Sequence, residues 1–368
     1  MVRDLASSHG IHVVVVDRDA DVVAPFEDLQ TVTPRVADLV APNGLEDAIA
    51  DCDLVVGAVP GPMGFDTVRR VIEAGKDIVD ISFFEQDAFE LDDLAKERGV
   101  TVVVDAGVAP GASNLLLGHA ESTFERLDRF ACYVGGLPAE RHWPWQYSAP
   151  FSPIDVLAEY TRPARLRESG RDVVRPALSG VERLEFPGLG TLEAFETDGL
   201  RSILLTSKCP NLVEKTIRYP GHRDQMELLR AAGFFSEEPI ELRDGLRVRP
   251  LDVAAALLFP QWQLGDSQQE LTVMKVEVEG IHDGRGVRRT WNLLDRTAAD
   301  GTSSMARTTG YTCTAVTRLV ADGLWKRPGV APPEYLGSES DCFDRVFADL
   351  QARGVVFERL DEDLVESV

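Results

Sequence analysis

The sequence predicts an α/β protein in which a Rossmann-type parallel sheet is followed by a mixed-sheet α/β domain. In the first third of the 368 residues, short apolar strands alternate with helices. This alternation is typical of parallel strands joined by helical crossovers and covered on both faces. In the middle third, strands rich in alternating, aromatic or β-branched residues are separated by Gly-rich turns, which favours mixed or antiparallel pairing. The length accommodates two ordinary cores.

The first third contains a regular succession of elements. Gly75 and Gly99 each end a helix, because glycine readily adopts the left-handed conformation of a C-terminal cap. Strands are expected at 11–16, 31–36, 54–59, 78–81 and 100–104, and helices at 45–50, 65–74, 88–98 and from residue 115.

The remainder of the chain predicts a second domain. A hairpin turn is expected at 283–286 between the last two strands. Strands are expected at 130–134, 191–195, 215–219, 271–278 and 287–294, and helices at 223–232, 250–259 and 306–320. The predicted division is a nucleotide-binding domain (1–127), a substrate domain (128–300) and a C-terminal segment (301–368) that packs back on the nucleotide-binding domain.

The composition limits the possible functions. A formal net charge of -23 excludes a general nucleic-acid binder and disfavours anionic membranes. The sequence contains neither a membrane-spanning apolar run nor a secretory signal, which predicts a cytoplasmic protein. Only 6 of the 38 basic residues are Lys, which favours a halophilic surface; an acidic protein with Arg favoured by codon bias is the alternative. The five cysteines are scattered, and no metal site is predicted.

Acidic residues follow two of the first strands, where a doubly wound sheet binds its ligand. Asp17 is predicted to hold the adenosine ribose hydroxyls, which favours NAD over NADP, although the adjacent Arg18 leaves NADP possible. A strand-end cap is the alternative role of Asp17. Asp38 follows the next strand and is predicted to reach the adenine.

Later strand ends supply further candidate cofactor contacts. Val59 ends one strand and Pro60 follows it, and Ser82 follows the next strand. The loop 105–114 ends the last strand and opens a helix, and its glycines permit close approach to a ligand. Its predicted cofactor-binding residues are Gly107, Val108, Pro110, Gly111 and Asn114.

The start of the chain predicts that one part of this sheet is missing. A first strand and its G-x-G-x-x-G turn are expected about 20 to 25 residues before Asp17, but only sixteen residues precede it. The chain is therefore expected to begin inside the first helix, without the central strand and the phosphate-binding loop. A start codon assigned too late is favoured over a truncated paralogue, because loss of a central strand exposes sheet edges and core.

Five motifs in order resemble the saccharopine dehydrogenase superfamily. The form "GVAPG-x-x-N" in the first of them is most similar to lysine 6-dehydrogenase. The motifs are Asp105–Asn114, Tyr133–Pro138, Leu192–Gly199, Glu214–His222 and Met305–Tyr311. The resemblance implies a Rossmann domain, a substrate domain that mediates homodimerisation, and NAD(P)-linked chemistry at a C–N bond of an amino acid.

The implied reaction is oxidative deamination of lysine at its ε-carbon, followed by hydrolysis of the imine to aminoadipate semialdehyde. A saccharopine or carboxynorspermidine-type reductase is the first alternative. A dimeric scaffold without cofactor binding is an alternative of another class, and its only support is the missing first strand.

Hydride removal requires a neutral nitrogen, and hence a base near pKa 7. His222, Lys215 and Asp105 are the candidate catalytic residues. A turn cap is the alternative role of His222, and loop or helix capping is that of Asp105.

The α-carboxylate of an amino acid favours Arg as its partner. Arg218 and Arg307 are the candidate carboxylate binders. A structural ion pair is the alternative role of Arg218, and fixing the C-terminal helix to the sheet is that of Arg307. Tyr133, Glu196 and Asp198 are further substrate-binding candidates; turn chemistry or solvated surface is the alternative for the two acids.

Overall fold

The computed structural model describes residues 1–148, 153–265 and 268–364, and the chain forms two units. The first unit comprises Met1–His119 and Thr309–Arg353, and the second comprises Ala120–Thr308 and Gly354–Val368. The predicted C-terminal segment 301–368 is thus divided between the units, because its last strand pairs with a strand of the second unit.

The strands are short in the first unit and long at the centre of the second. In chain order they are β1 Val13–Asp17, β2 Val32–Val36, β3 Leu54–Gly57, β4 Asp77–Asp80, β5 Thr101–Val103, β6 Arg126–Pro138, β7 Ala164–Glu168, β8 Arg171–Arg175, β9 Glu182–Phe186, β10 Gly190–Glu196, β11 Leu212–Arg218, β12 Ile240–Glu241, β13 Arg247–Val248, β14 Glu270–His282, β15 Arg285–Arg296, β16 Gly329–Ala331 and β17 Phe357–Asp363.

The helices alternate with strands in the first unit and cluster in the second. They are α1 Val2–Ala6, α2 Ala20–Val23, α3 Gly44–Ile49, α4 Gly61–Glu73, α5 Asp92–Arg98, α6 Ala112–Thr123, α7 Pro153–Thr161, α8 Ile203–Thr206, α9 His222–Ala231, α10 Pro250–Trp262, α11 Ser304–Ala321, α12 Pro333–Gly337 and α13 Ser340–Ala352. Short 3₁₀ helices occupy Ala24–Phe26, Ala88–Leu91 and Arg243–Gly245.

The first unit contains two parallel sheets. One has the order β16-β5-β4-β3, and the other consists of β1 and β2 alone. Within residues 1–119 and 309–353, all of which the structure describes, no strand hydrogen-bonds to both sheets.

The edge strands β1 and β3 are less buried than β4 and β5, whereas β16, at the other edge of its sheet, is buried. The side chains of β5 are buried and those of β4 nearly so, whereas the valines of β1 and residues 54–56 of β3 remain half-buried. Apolar strands of a doubly wound sheet are normally covered on both faces and paired on both sides. The exposure therefore reflects the position of β1 and β3 at sheet edges.

The second unit is built on one mixed sheet. Its main order is β17-β15-β14-β6-β11-β10-β9, and β7 pairs with both β11 and β8. The pair β6–β11 is parallel, and the other pairs are antiparallel. The predicted fold class, a Rossmann-type sheet with a mixed-sheet α/β domain, is confirmed.

The alternation of side chains along β11 separates two cores. Ile217 belongs to a core with Tyr133, Leu192 and Val273 on one face of the sheet. Arg218 points to the other face of the sheet. There, residues of α7, α9 and α10, including Tyr160, Met226 and Trp262, form a second core. One strand thus carries a charged side chain into a helical layer.

Candidate functional site

The carboxyl ends of the first unit's strands carry the acids expected to bind a cofactor. Asp17 ends β1, and its carboxylate accepts a hydrogen bond from the backbone N–H of Asp19 at 2.9 Å. Asp38 lies exposed just beyond β2 and accepts from the N–H of Val40 at 3.0 Å. Each carboxylate shapes its own turn and retains a second oxygen for a ligand.

The ends of β3 and β4 are packed against each other. Ser82 donates from its N–H and its Oγ to Asp80 Oδ2, at 2.9 and 2.5 Å. A Cβ added to Gly57 would lie 2.0 Å from Asp80 Oδ1, and one added to Gly64 would lie 2.3 Å from Ser82 Oγ. Both positions therefore require glycine, and this packing leaves Val59 half-buried and Pro60 exposed.

The loop after β5 is tied tightly to the first unit. Asn114 is fully buried; its Oδ1 accepts from the N–H of Gly111 at 3.1 Å and its Nδ2 donates to Glu334 Oε2 at 2.9 Å. Gly111 has a φ of 139°, and a Cβ there would lie 1.8 Å from the carbonyl oxygen of Gly107. Asp105 is buried at the start of the loop with a φ of 55°.

These strand ends fit the two ends of a dinucleotide. Asp17 ends β1, where the contact with the ribose hydroxyls is predicted. In the loop after β5, Val108 and Pro110 are half-buried and Gly107 and Gly111 are buried, and the N–H of Ala106 donates to the carbonyl oxygen of Asp80 at the end of β4. Residues 1–119 contain no G-x-G-x-x-G sequence, so within them no such turn holds the diphosphate. The individual contacts remain predictions.

The second unit contains a buried polar cluster around Arg218. Arg218 Nη2 donates to Glu159 Oε2 at 2.9 Å, and Arg218 Nε donates to the hydroxyl oxygen of Tyr160 at 3.2 Å. The guanidinium also lies over the ring of Tyr147, 4.6 Å from its centroid. Only 3 % of Arg218 is exposed, and the carboxylate of Glu159 neutralises its charge. This structural ion pair accounts for the position of Arg218.

His222 continues this cluster. Its Nε2 lies 2.9 Å from the Tyr160 hydroxyl, and its Nδ1 lies 2.8 Å from the carbonyl oxygen of Trp145. A carbonyl can only accept, so Nδ1 carries the proton and Nε2 accepts from Tyr160. Burial, followed by the charge of Arg218, lowers the pKa of His222 to about 3. The ring is therefore neutral near pH 7.

The other predicted cations also have partners within the second unit. Lys215 Nζ donates to the carbonyl of Gly180 and pairs with Glu182, each at 2.6 Å. Arg307 binds Asp295 through two hydrogen bonds of 3.1 Å. Binding of a substrate carboxylate by either residue would add to these contacts or replace them.

The remaining substrate candidates are distributed over the sheet. Glu196 accepts from Arg175 at 2.9 Å and from Ser179 at 2.8 Å, and Asp198 pairs with Arg165 at 2.8 Å. Tyr133 lies on the opposite face of the sheet from Arg218, and burial raises its pKa to about 12. The strand register thus places Tyr133, Lys215 and Glu196 side by side across β6, β11 and β10, whereas Arg218 lies on the opposite face of the sheet.

Two buried carboxyl groups were not predicted from the sequence. Glu214 accepts from Thr197 Oγ1 at 2.6 Å, and burial raises its pKa to about 8. Glu270 accepts from the N–H of Met305 at the start of α11, and burial raises its pKa to about 7. The alternation of side chains along β11 predicts that Glu214 and Lys215 point to opposite faces of the sheet. The depth at which Glu214 is buried depends on tertiary packing, which the sequence does not show.

The described residues offer neither a metal site nor a membrane span. Among the described residues, no three or more His, Cys, Asp or Glu side chains are grouped so as to hold a metal ion. No described helix combines the length and apolar character needed to cross a membrane.

Comparison with family models divides the chain near the end of the first unit's sheet. Residues 1–103 match the model described as the saccharopine dehydrogenase NADP binding domain, and residues 107–355 match that of the saccharopine dehydrogenase C-terminal domain.

Curated relatives cover most of the chain. A saccharopine dehydrogenase [NADP(+), L-glutamate-forming] of Pyricularia oryzae is 24% identical, with 90% of each chain covered. The protein of the same name from Saccharomyces cerevisiae is 23% identical at the same coverage. A carboxynorspermidine synthase of Vibrio cholerae is 24% identical, covering 67% of this chain and 61% of the relative.

A solved structure shares the fold. The apo saccharopine dehydrogenase (L-Glu forming) from Saccharomyces cerevisiae matches with a TM-score of 0.80 and 20% identity, covering 98% of this chain and 96% of that chain. The matches to both family models, with the two-unit fold, carry the assignment. The chain belongs to the saccharopine dehydrogenase family of NAD(P)-dependent oxidoreductases, which act on amino-acid-derived substrates.

Proposed function

We propose that this protein oxidises the ε-carbon of a lysine skeleton. Two substrates share this chemistry: lysine, whose ε-nitrogen leaves as ammonia, and saccharopine, whose ε-nitrogen leaves as glutamate. In both, the C–H bond of the ε-carbon breaks, the nitrogen loses a proton, and water adds to the resulting imine to release the semialdehyde. Bound NAD(P) supplies the hydride acceptor.

Different observations support the two substrates. The observation that carries saccharopine is the match over 90% of both chains to proteins named as glutamate-forming saccharopine dehydrogenases. Lysine is favoured by the loop Asp105–Asn114, whose form resembles that of lysine 6-dehydrogenase. The same family resemblance also suggests a homodimer and, as an alternative reaction, one of the carboxynorspermidine type; both are proposals.

The choice between the substrates rests on the amine that is released. Purified protein is incubated with lysine or saccharopine and with NAD⁺ or NADP⁺ at low and high salt. Reduced cofactor formed together with glutamate supports saccharopine, and reduced cofactor formed with ammonia supports lysine. Turnover of neither substrate, in a protein that binds cofactor, contradicts the proposal.

Cofactor binding is measured first, because it distinguishes an NAD(P)-dependent enzyme from a scaffold protein that binds no cofactor. NAD⁺ and NADP⁺ are titrated into this chain and into a form extended upstream in frame by about 25 residues, enough for one strand and a glycine-rich turn. Binding by either form supports the enzyme. Failure of both forms to bind favours a non-catalytic role.

The candidate base Lys215 provides a mutational test. If Lys215 accepts the substrate proton, Lys215→Met lowers kcat about 10²- to 10⁴-fold. Lys275→Met is the matched control, since Lys275 also lies on the sheet and pairs with a glutamate, Glu277, at 3.0 Å. Equal losses in both variants, or full activity of Lys215→Met, contradict the catalytic role.

A further inference from the structure

A row of hydroxyl groups leads to a buried carboxyl group on strand β11. Thr197 Oγ1 lies 2.6 Å from Glu214 Oε2 and 2.8 Å from Thr216 Oγ1, and all three side chains are buried. Glu214 and Thr216 point to the same face of β11, because alternate residues of a strand share a face. Thr197 directly follows the paired strand β10 and bridges the two side chains. We call these three residues the Glu214 row.

The Glu214 row keeps its hydrogen bonds in both protonation states of the carboxyl group. When Glu214 is ionised, Thr197 donates to the carboxylate and Thr216 donates to Thr197. When Glu214 is protonated, it donates to Thr197, and Thr197 donates to Thr216. Only the hydroxyl hydrogens differ between the two arrangements, and the heavy atoms stay in place. A proton can therefore pass between Thr216 and Glu214 along existing hydrogen bonds.

The carboxyl group at the end of the row is fixed by its surroundings. The backbone N–H of Gly199 donates to Glu214. A Cβ added to Gly199 would lie 2.5 Å from Glu214 Cδ, so only glycine leaves room for the carboxyl group. The Glu214 row and Gly199 come from the motifs Leu192–Gly199 and Glu214–His222. Two of the five segments that resemble the family thus meet at this carboxyl group.

Burial and two nearby acids set the protonation of Glu214. Burial raises its pKa to about 8, and the charges of Glu159 on α7 and Asp198 after β10 act in the same direction. Each of these two acids has a cation of its own, since Glu159 pairs with Arg218 and Asp198 pairs with Arg165. Near pH 8 the carboxyl group therefore both gains and loses a proton readily, as a general base does.

The other candidate bases of the second unit are less suited to accept a proton. Both ring nitrogens of His222 are hydrogen-bonded, and its pKa of about 3 lies far below the range of an efficient base near pH 7. Lys215 lies on the opposite face of β11 from Glu214 and is paired with Glu182. The Glu214 row thus offers the second unit's best proton acceptor for the oxidation of an amine.

We propose that the Glu214 row is a proton relay that deprotonates the substrate nitrogen during the proposed oxidation, on which this inference rests. The substrate ammonium donates to Thr216 Oγ1. Its N–H bond breaks as its proton passes to Thr216, the Thr216 proton passes to Thr197, and the Thr197 proton passes to Glu214. The C–H bond of the ε-carbon then breaks, its hydride is transferred to NAD(P)⁺, and the nitrogen lone pair forms the C=N bond. Glu214 releases the stored proton to water before the next turnover.

Two variants interrupt the relay at different points. Thr197→Val removes the middle hydroxyl with little change in side-chain shape, and Glu214→Gln removes the proton acceptor. Each is expected to lower kcat/KM about 10²- to 10⁴-fold at pH 8. Thr197→Ser retains the hydroxyl and is expected to keep most of the activity. Thr272→Val is the matched control, because Thr272 is also buried in this sheet and its hydroxyl has no hydrogen-bond partner among the described residues.

The pH dependence of kcat/KM distinguishes a relay from a structural role. In the wild type, kcat/KM is expected to rise with pH and to level off near pH 8, where Glu214 ionises. In both relay variants the substrate has to lose its proton to water, so kcat/KM rises about tenfold per pH unit up to the pKa of a lysine amine, about 10.4. The deficit of the variants therefore shrinks above pH 8, whereas a folding defect persists at every pH.

The outcomes separate the relay from the reaction itself. Wild-type turnover with full activity of Glu214→Gln or Thr197→Val overturns the relay and leaves the proposed oxidation in place. A deficit that stays constant with pH, or an equal deficit in Thr272→Val, shows a packing defect and also overturns the relay. A wild-type protein that binds cofactor but turns over neither lysine nor saccharopine overturns both proposals.

Discussion

Arg218→Met is expected to lower the free energy of unfolding of the second unit by about 3–5 kcal/mol. The substitution leaves the Glu159 carboxylate and the Tyr160 hydroxyl without the guanidinium that binds both of them inside the protein. Urea unfolding followed by tryptophan fluorescence measures the effect. Four of the five tryptophans, at 143, 145, 262 and 291, belong to the second unit and report mainly on it.

Two further variants identify the cause. Arg126→Met removes an exposed ion pair with Asp128, which solvent screens, and is expected to cost far less stability than Arg218→Met. Arg218→Met combined with Glu159→Leu is expected to recover much of the loss, because no unpaired carboxylate then remains in this half-buried position. A cost for Arg218→Met no larger than that for Arg126→Met would show that the buried pair contributes little.

The second unit is expected to become less stable as the pH rises from about 5 to 8. Burial raises the pKa of Glu270 to about 7 and that of Glu214 to about 8, from an ordinary value of 4.5. Between these values the folded state holds protons that the unfolded state has lost, so unfolding becomes easier with increasing pH. At about 1.4 kcal/mol per pKa unit, each group destabilises by on the order of 3–5 kcal/mol above its folded pKa.

Glu214→Gln isolates one of these groups. The amide carries no charge at any pH, so the variant is expected to match the wild type near pH 5 and to exceed its stability by several kcal/mol near pH 9. Urea unfolding at pH 5 to 9 measures both slopes, with exposed Glu241 providing the control Glu241→Gln. If the variant kept the wild-type slope, Glu214 would not be the titrating group.

Local features of the sequence were enough to predict much of the fold. Alternating apolar runs and helices predicted the parallel strands β3, β4 and β5, and Gly99 ends α5 with a φ of 68°. The hairpin at 283–286 forms because Asp283 and Gly284 both adopt positive φ, 50° and 72°. Such turns depend on the backbone conformations that one or two residues can adopt. These conformations can be predicted from the residue types alone.

Some strands left no such local signal. The strands β9 and β17, with sequences ERLEF and FERLDED, lie at the two ends of the second unit's main sheet. Their charged residues are tolerated because an edge strand faces solvent. No apolar run marks such a strand, and only its pairing with β10 or β15 defines it.

The sequence by itself determined the family, the alternation of strands and helices at the start of the first unit, and which residues end those strands. These properties follow from motifs and from local periodicity. Only the tertiary structure decided the partners, the burial and the protonation of the polar side chains. Arg218 meets Glu159 across 59 residues of chain, and His222 meets Tyr160 across 62. Charge neutralisation, burial and the resulting pKa changes depend on such long-range contacts, because desolvation is a property of the surrounding packing.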